Sequence, residues 1–151
     1  MNTEKEILEK WIEKLADSHP RNASALRAPK PDPFRNPVGY AIRTSLAQIW
    51  EQLQGHMDWN VIDPALDTVL RIRAVQDMSL SQAVGFIIPL RSILRQVPGT
   101  FDLALLENRI DQLMLAAFDK YTQCRDQIRA VRLHETERLT RTRRVAGKAG
   151  A

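Results

Sequence analysis

The fold is decided by residues 103–131, which read LALLENRIDQLMLAAFDKYTQCRDQIRAV. Apolar residues recur there every three or four positions, and neither proline nor glycine interrupts the sequence before Gly147. This pattern predicts an amphipathic α-helix from about residue 102 to about residue 140. At about 1.5 Å per residue the helix spans about 60 Å, which is more than one small domain can cover. We therefore expect its distal part to project or to pair with another chain.

The apolar side of this helix is the surface through which we expect a homodimer to form. Its spacings of three and four resemble a coiled-coil seam, although Lys120 and Gln127 weaken the heptad pattern. The residues predicted to make the contact are Leu106, Ile110, Leu113, Ala117, Tyr121 and Ile128.

The first part of the chain combines a helix-start signal with a proline-rich segment. Thr3 and Glu6 form a T-x-x-E capping box, and apolar residues at helical spacing follow over about residues 4–17. Residues 19–37 then hold five of the eight prolines. Because proline lacks a backbone N–H and fixes φ, we expect this segment to be an extended connection without helix.

Proline directly after a capping residue marks two further helix starts. Asn36 and Pro37 predict a helix that ends near Gly55. Asp63 and Pro64 repeat the same signal for the next helix. Apolar residues at helical spacing follow both signals, so each helix is expected to bury one face.

A second capping box, formed by Ser79 and Gln82, opens a strongly apolar helix. Pro89 lies inside that helix, where its ring would crowd the carbonyl group of Gly85. We expect a kinked helix here, not a break, and we expect Pro98 to close it. The chain is therefore predicted to be all-α, with five main helices.

The composition indicates one soluble domain. The chain has 151 residues, 44% of them hydrophobic, which is enough to bury a core. No apolar run approaches the roughly 20 residues that span a bilayer, and the acidic start MNTEKE does not resemble a signal peptide. A single cysteine excludes an intramolecular disulfide framework, so we expect a cytoplasmic protein without membrane contact.

The positive charge is concentrated at the C-terminus. Residues 129–151 hold seven basic and two acidic residues, a net charge of +5, whereas the whole chain has +4. We expect a nearly neutral domain over residues 4–137, followed by a basic flexible tail over residues 138–151. An alternative function is nucleic-acid binding, because such a patch can neutralise phosphates. The candidate contacts are Arg138, Arg141, Arg143, Arg144 and Lys148.

The sequence offers little for catalysis, haem or metal binding. His19, His56 and His134 lie in a loop, at a helix end and in the basic distal helix, and no two share a metal-ligand spacing. Cys124 continues an apolar helix face and is expected to be a packing residue. The sequence contains no glycine-rich phosphate loop and no nucleophile elbow. We therefore expect no cofactor and no enzymatic activity.

A polar cluster between two apolar helices is the most specific candidate site. It reads RIRAVQDMSLSQA over residues 71–83. One interpretation is local: Asp77 pairs with Arg73 four residues earlier, and the serines cap the next helix. Burial of Arg73 without this carboxylate would be costly, so we expect the two residues to be buried as a pair or not at all. The other interpretation is a ligand or partner site that consists of Arg71, Arg73, Gln76, Asp77 and Ser79.

The same cluster, together with NPVGYAIR at residues 36–43, resembles the N-terminal domain of RsbRD-type RsbT co-antagonist proteins. The resemblance covers most of residues 4–135. It implies a globin-like helical domain without haem, which dimerises and is the sensory input of a stress-response signalling assembly, the stressosome. In such relatives the last helix leads to a STAS output domain that carries the phosphorylated residues and binds the partner kinase. This sequence contains none, so the resemblance implies an input or dimerisation module.

The leading hypothesis is therefore a homodimeric regulatory domain that contacts other signalling proteins. An alternative is a small-molecule sensor with an apolar pocket where a globin holds haem. The large side chains at that position could equally fill the space. They belong to Trp50, Phe86, Ile87 and Leu90.

Overall fold

The computed structural model describes residues 3–18, 23–27 and 32–149, and over these residues the protein is all-α, as predicted. A 3-10 turn, Gly85–Ile87, separates the fifth and sixth helices. The α-helices are α1 (Thr3–Asp17), α2 (Ala23–Arg27), α3 (Pro37–Gln54), α4 (Trp59–Val75), α5 (Leu80–Val84), α6 (Pro89–Gln96) and α7 (Leu103–Ala149).

The hydrophobic core forms where α4 packs against both α3 and α7, and α1 closes it against α3 and α6. Trp11 of α1 is completely buried and stacks on Phe86, with 6.1 Å between the ring centroids. The indole nitrogen of Trp11 also donates a hydrogen bond of 2.8 Å to the Phe86 carbonyl. An aromatic residue with a satisfied polar group therefore fixes α1 to the 3-10 turn.

Helix α7 is the predicted long helix. It has 47 residues and spans about 70 Å. Its side chains alternate between buried and exposed up to Cys124, whereas every described side chain from Arg129 to residue 147 is exposed. We call residues 129–149 the stalk. The predicted end near residue 140 is wrong, because residues 138–149 continue the helix in place of a separate tail.

The predicted dimer surface is also corrected by the structure. Leu106, Ile110, Leu113, Ala117 and Tyr121 are at most 4% exposed, because they pack against the core of their own chain. Ile128, the sixth predicted residue, is half-buried against the same core. The apolar periodicity of α7 therefore reports intramolecular packing and leaves these side chains inaccessible to a second copy.

A short helix lies in the segment that was predicted to be extended. Helix α2 occupies residues 23–27, where the sequence contains no proline, so nothing prevents one helical turn. Leu26 is buried in the core, and the Asn36 side-chain amide donates to the Ala25 carbonyl at 2.8 Å. His19, Pro20, Pro29 and Pro31 lie outside the described residues.

Helix α4 begins earlier than the sequence predicted. It starts at Trp59, and the Asp58 carboxylate accepts a hydrogen bond of 2.9 Å from the backbone N–H of Asn60. The predicted start pair, Asp63 and Pro64, therefore lies inside the helix. Pro64 has no N–H to donate to the Asn60 carbonyl and its ring crowds that carbonyl, but the earlier cap at Asp58 outweighs this cost.

The predicted kinked helix is in fact two helices. Pro89 has no N–H to donate to the Gly85 carbonyl, and the N–H of Ile88 donates to that carbonyl instead, at 3.2 Å. This shorter bond tightens residues 85–87 into the 3-10 turn between α5 and α6. The capping box at Ser79, in contrast, is present as predicted.

Candidate functional site at the junction of α4 and α5

A tight turn joins α4 to α5 and carries most of the predicted polar cluster. Helix α4 ends at Val75, and Asp77 follows with φ of 56°, in the left-handed region. Aspartate tolerates this conformation better than most residues, because its short side chain can form local hydrogen bonds. Ser79 then caps α5 by accepting the backbone N–H of Gln82 at 3.3 Å. The turn therefore places Gln76, Asp77 and Met78 outside either helix.

Arg73, in the last turn of α4, is completely buried. Its Nη2 atom donates to the Ser18 hydroxyl at 3.1 Å and to the Gln82 carbonyl at 2.9 Å, and its guanidinium carbon lies 5.5 Å from the centre of the Phe86 ring. Its Nε and Nη1 atoms are buried and have no hydrogen-bond partner among the described residues.

The predicted pair between Arg73 and Asp77 is wrong. The Asp77 carboxylate contacts Arg132 of the stalk at 3.0 Å instead, and it is largely exposed. Neutral oxygens and the Phe86 ring are thus the partners of the Arg73 guanidinium in the described structure. Burial lowers the pKa of Arg73 to about 10, so the group stays charged at neutral pH.

A cavity of about 280 Å³ opens beside this arginine. The two hydrogen-bond partners of Arg73, Ser18 and Gln82, both line it, so the guanidinium lies one hydrogen bond behind the cavity wall. The Gln76 amide oxygen is buried and has no partner among the described residues. The remaining lining residues are Asp17, Asp77 and Met78.

The junction is tied to α7 near the point where the stalk begins. The Tyr121 hydroxyl donates to the Met78 carbonyl, and burial raises the pKa of Tyr121. The Asp77 contact with Arg132 lies on the stalk itself. The turn between α4 and α5 thus lines the cavity and also contacts α7.

Of the five predicted site residues, Gln76 and Asp77 line the cavity, and Arg73 lies behind its wall. Arg71 lies on the surface, where it pairs with the Asp67 carboxylate and with the Gln127 side chain, each at 2.7 Å. Ser79 serves as the cap of α5.

The sequence interpretation missed Asp17, the last residue of α1, and Ser18, which comes directly after it. Both residues line the cavity. Ser18 is 55 residues from Arg73, so no local spacing could have indicated the contact. The sequence interpretation also assigned Gln82 to capping alone, whereas its backbone carbonyl binds Arg73.

The predicted sensor pocket is occupied by side chains. Trp50, Phe86, Ile87 and Leu90 are each at most 3% exposed and belong to the core. Trp50 also borders an open depression of about 580 Å³ between α1 and α3, at the surface of the domain. These four residues therefore pack as core residues.

Two of the three histidines and the cysteine lie outside the lining of the junction cavity. His56 follows α3, and His134 is exposed on the stalk. Cys124 is buried, and burial raises the pKa of its thiol. The described residues contain no cluster of three or more side chains of the metal-ligating types His, Cys, Asp and Glu. None of the helices in the described part of the chain combines the length and apolar character that a membrane span requires.

The predicted nucleic-acid contacts lie on the stalk. Arg138, Arg141, Arg143 and Arg144 are exposed, and the side chain of Lys148 lies outside the described residues. In a helix each step of three residues falls about 60° short of a full turn, so Arg138, Arg141 and Arg144 face progressively different directions. The basic residues thus wind around the stalk.

Comparison with protein families gives a match over most of the chain. The family model described as the RsbT co-antagonist protein rsbRD N-terminal domain matches residues 5–136. The matched range extends from α1 into the stalk and includes the junction with its cavity. Comparison with curated proteins and comparison with solved structures give no significant match.

Proposed function

Because the chain belongs to the family of RsbT co-antagonist protein RsbRD N-terminal domains, we propose that it is a non-catalytic input domain of bacterial stress or metabolic signalling. The resemblance drawn from residues 36–43 and 71–83 is confirmed by the same match. The match over residues 5–136 is the observation that carries the proposal. We place the protein in the cytoplasm, where it acts by contacts with other signalling proteins.

Helix α7 is suited to transmit a signal. Its first part is buried in the core and its stalk is exposed, so one continuous helix connects the interior of the domain with its surroundings. A helix moves largely as a rigid element, and a small shift in the packing around Tyr121 would displace the distal end of the stalk.

We propose that a homodimer forms through the outer face of α7, which comprises Leu115, Phe118 and Leu133. These side chains are 70%, 49% and 61% exposed. Leu115 and Phe118 are neighbours on the helix, and Leu133 follows Phe118 after about four turns, so the three face one side. An apolar helix face without a partner in its own chain is a frequent site of association.

The molar mass in solution tests this dimer. Light scattering of the full chain at micromolar concentration is expected to give twice the monomer mass of 17.3 kDa. Phe118→Glu is expected to give the monomer, because an unpaired charge in an apolar interface is costly. Phe34→Glu makes the same change at a side chain that is 93% exposed and lies before α3, and this control should remain dimeric.

Two outcomes would contradict the dimer proposal. A wild-type chain that is strictly monomeric at micromolar concentration would refute the homodimer itself. A Phe118→Glu variant that remains as dimeric as Phe34→Glu would refute the outer face as its contact surface.

The exposed arginines of the stalk support one alternative, a nucleic-acid-binding function. A basic helix of this kind would bind phosphates without reading a sequence, and its affinity would fall steeply with salt. Deletion of residues 138–151 tests the alternative on a nucleic-acid column. Equal retention of the full chain and the deleted chain would remove it.

A further inference from the structure

We propose that the cavity at the junction of α4 and α5 binds a small organic monocarboxylate that also carries a hydroxyl or amino group, and that the Arg73 guanidinium neutralises its carboxylate. The regulatory meaning of this site rests on the proposed input function. The binding site itself rests on the charge and the unpartnered atoms of the junction.

The charge at the site favours an anion. Arg73 is completely buried, and the partners of its guanidinium among the described residues are two neutral oxygens and an aromatic ring. Burial of an ion without an opposite charge costs several kcal/mol by general estimates, so a bound anion offsets a cost that the empty site bears. Two carboxylates line the cavity, but Asp17 pairs with Arg27 and Asp77 pairs with Arg132.

The geometry favours a carboxylate as that anion. A guanidinium presents its N–H groups in one plane and binds the two oxygens of a carboxylate in parallel. Each parallel pair of guanidinium N–H groups includes one on Nη2, and in Arg73 Nη2 binds Ser18 and Gln82, whereas Nε and Nη1 have no partner among the described residues. When Ser18 moves aside, the freed N–H of Nη2 and the parallel N–H of Nε or Nη1 can bind both carboxylate oxygens. The single positive charge of Arg73 matches a monoanion, whereas a phosphate dianion would leave one charge unmatched beside Asp17 and Asp77.

Ser18 separates the guanidinium from the cavity. Its hydroxyl accepts from Arg73 and donates to the Leu15 carbonyl at 2.8 Å. Rotation about one side-chain bond would move this hydroxyl aside and expose the arginine to a ligand. Rotamer changes of this kind are common in ligand and partner sites.

The second group of the ligand is inferred from Gln76. Its amide oxygen is buried without a partner in the described structure, and an unpaired buried acceptor is costly. A hydroxyl or ammonium group on the ligand would supply the missing donor. The cavity volume of about 280 Å³ lies at the low end of ligand sites and accommodates a compound of the size of lactate or serine.

Titration of the full chain with sodium lactate and with L-serine tests the proposal, with sodium chloride as the ionic control. The readouts are the melting temperature and the NMR signals of the junction amides. At least one of the two compounds is expected to give saturable shifts at residues 76–82. Arg73→Met is expected to weaken binding by at least about tenfold, because it removes the charge-assisted hydrogen bonds.

Matched variants keep the test decisive. Arg71→Met makes the same change two residues away, at an exposed arginine, and should bind as the wild type does. If Arg73→Met does not fold by circular dichroism, Gln76→Leu replaces it, since that variant keeps the arginine and removes the proposed second contact. Its expected result is again weaker binding with an unchanged fold.

The proposal is overturned if neither compound gives a saturable response beyond that of sodium chloride, or if Arg73→Met and Arg71→Met respond alike. A monomeric chain that binds a carboxylate at this cavity would contradict the proposed dimer and support the site. A dimer that binds neither compound would refute the site and support the dimer.

Discussion

Replacement of Arg73 by methionine measures the balance between the cost of burying the guanidinium and the contacts that it makes. Methionine is flexible and close in length to the arginine stem, and its sulfur can pack against the Phe86 ring. The variant removes the charge together with Nε and Nη1, the two nitrogens that have no partner in the described structure. It also removes the hydrogen bonds to Ser18 and to the Gln82 carbonyl.

The expected sign follows from the pKa and from these two bonds. A pKa lowered from its ordinary value to about 10 corresponds to about 3 kcal/mol of destabilisation of the charged form in the folded state. Two hydrogen bonds from a charged group return about 3 to 6 kcal/mol, and the ring contact returns somewhat less. We therefore expect Arg73→Met to be between about 0 and 3 kcal/mol less stable than the wild type.

The pH dependence has a definite sign. The unfolded chain binds the arginine proton more tightly than the folded chain, because the folded pKa is the lower of the two. The cost is therefore fully present below pH 10 and disappears only as the pH rises from about 10 towards the ordinary pKa of an arginine in the unfolded chain. Between about pH 5 and pH 9 the stability difference between Arg73→Met and the wild type should be constant.

Urea unfolding followed by circular dichroism gives the two free energies of unfolding. Arg71→Met is the control, and it should change stability by no more than about 1 kcal/mol, since its ion pair with Asp67 is exposed. A gain in stability of more than about 1 kcal/mol for Arg73→Met would refute the reasoning. It would mean that the cost of burying the guanidinium outweighs its contacts.

Two further predictions concern the turn that contacts α7. Tyr121→Phe removes the buried hydrogen bond to the Met78 carbonyl and should lower the free energy of unfolding, measured by urea unfolding, by about 1 to 3 kcal/mol. An unchanged value would show that this bond does not hold the turn. Asp77→Val should be about 1 to 3 kcal/mol less stable than Asp77→Gly. Both variants lose the contact with Arg132, but only valine is strained at a φ of 56°. Equal thermal stabilities of the two variants would contradict that strain.

The helix starts show which parts of the fold the sequence predicts and why. Asn36 and Ser79 are caps in the structure, as predicted, because their hydrogen bonds reach only three residues along the chain. The start of α4 was predicted five residues late, since Asp58 and Asp63 are both plausible caps and the following proline favoured the wrong one.

The period of α7 predicted its start and its buried stripe, but neither its full length nor what the stripe packs against. Amphipathic spacing identifies an apolar face, and the same face can bury itself in its own domain or in a second copy. Tyr121 illustrates the difference, because its hydroxyl group bonds to Met78 of the same chain. Contacts of this kind, like the one between Ser18 and Arg73, join residues that are far apart in the sequence and have no local signal.

The error at Arg73 has a physical cause that also explains the cavity. Residues four apart face each other only while the helix continues, and α4 ends at Val75, between Arg73 and Asp77. At this end the backbone N–H of Asp77 donates to the Ala74 carbonyl at 3.0 Å, and the Tyr121 hydroxyl donates to the Met78 carbonyl, so the chain turns towards α7. The exposed pair with Arg132 contributes at most about 1 kcal/mol, so the backbone holds Asp77 away from the buried charge. The end of a helix, fixed by its own hydrogen bonds, thus leaves a guanidinium uncompensated beside a cavity, and an anionic ligand would offset that charge.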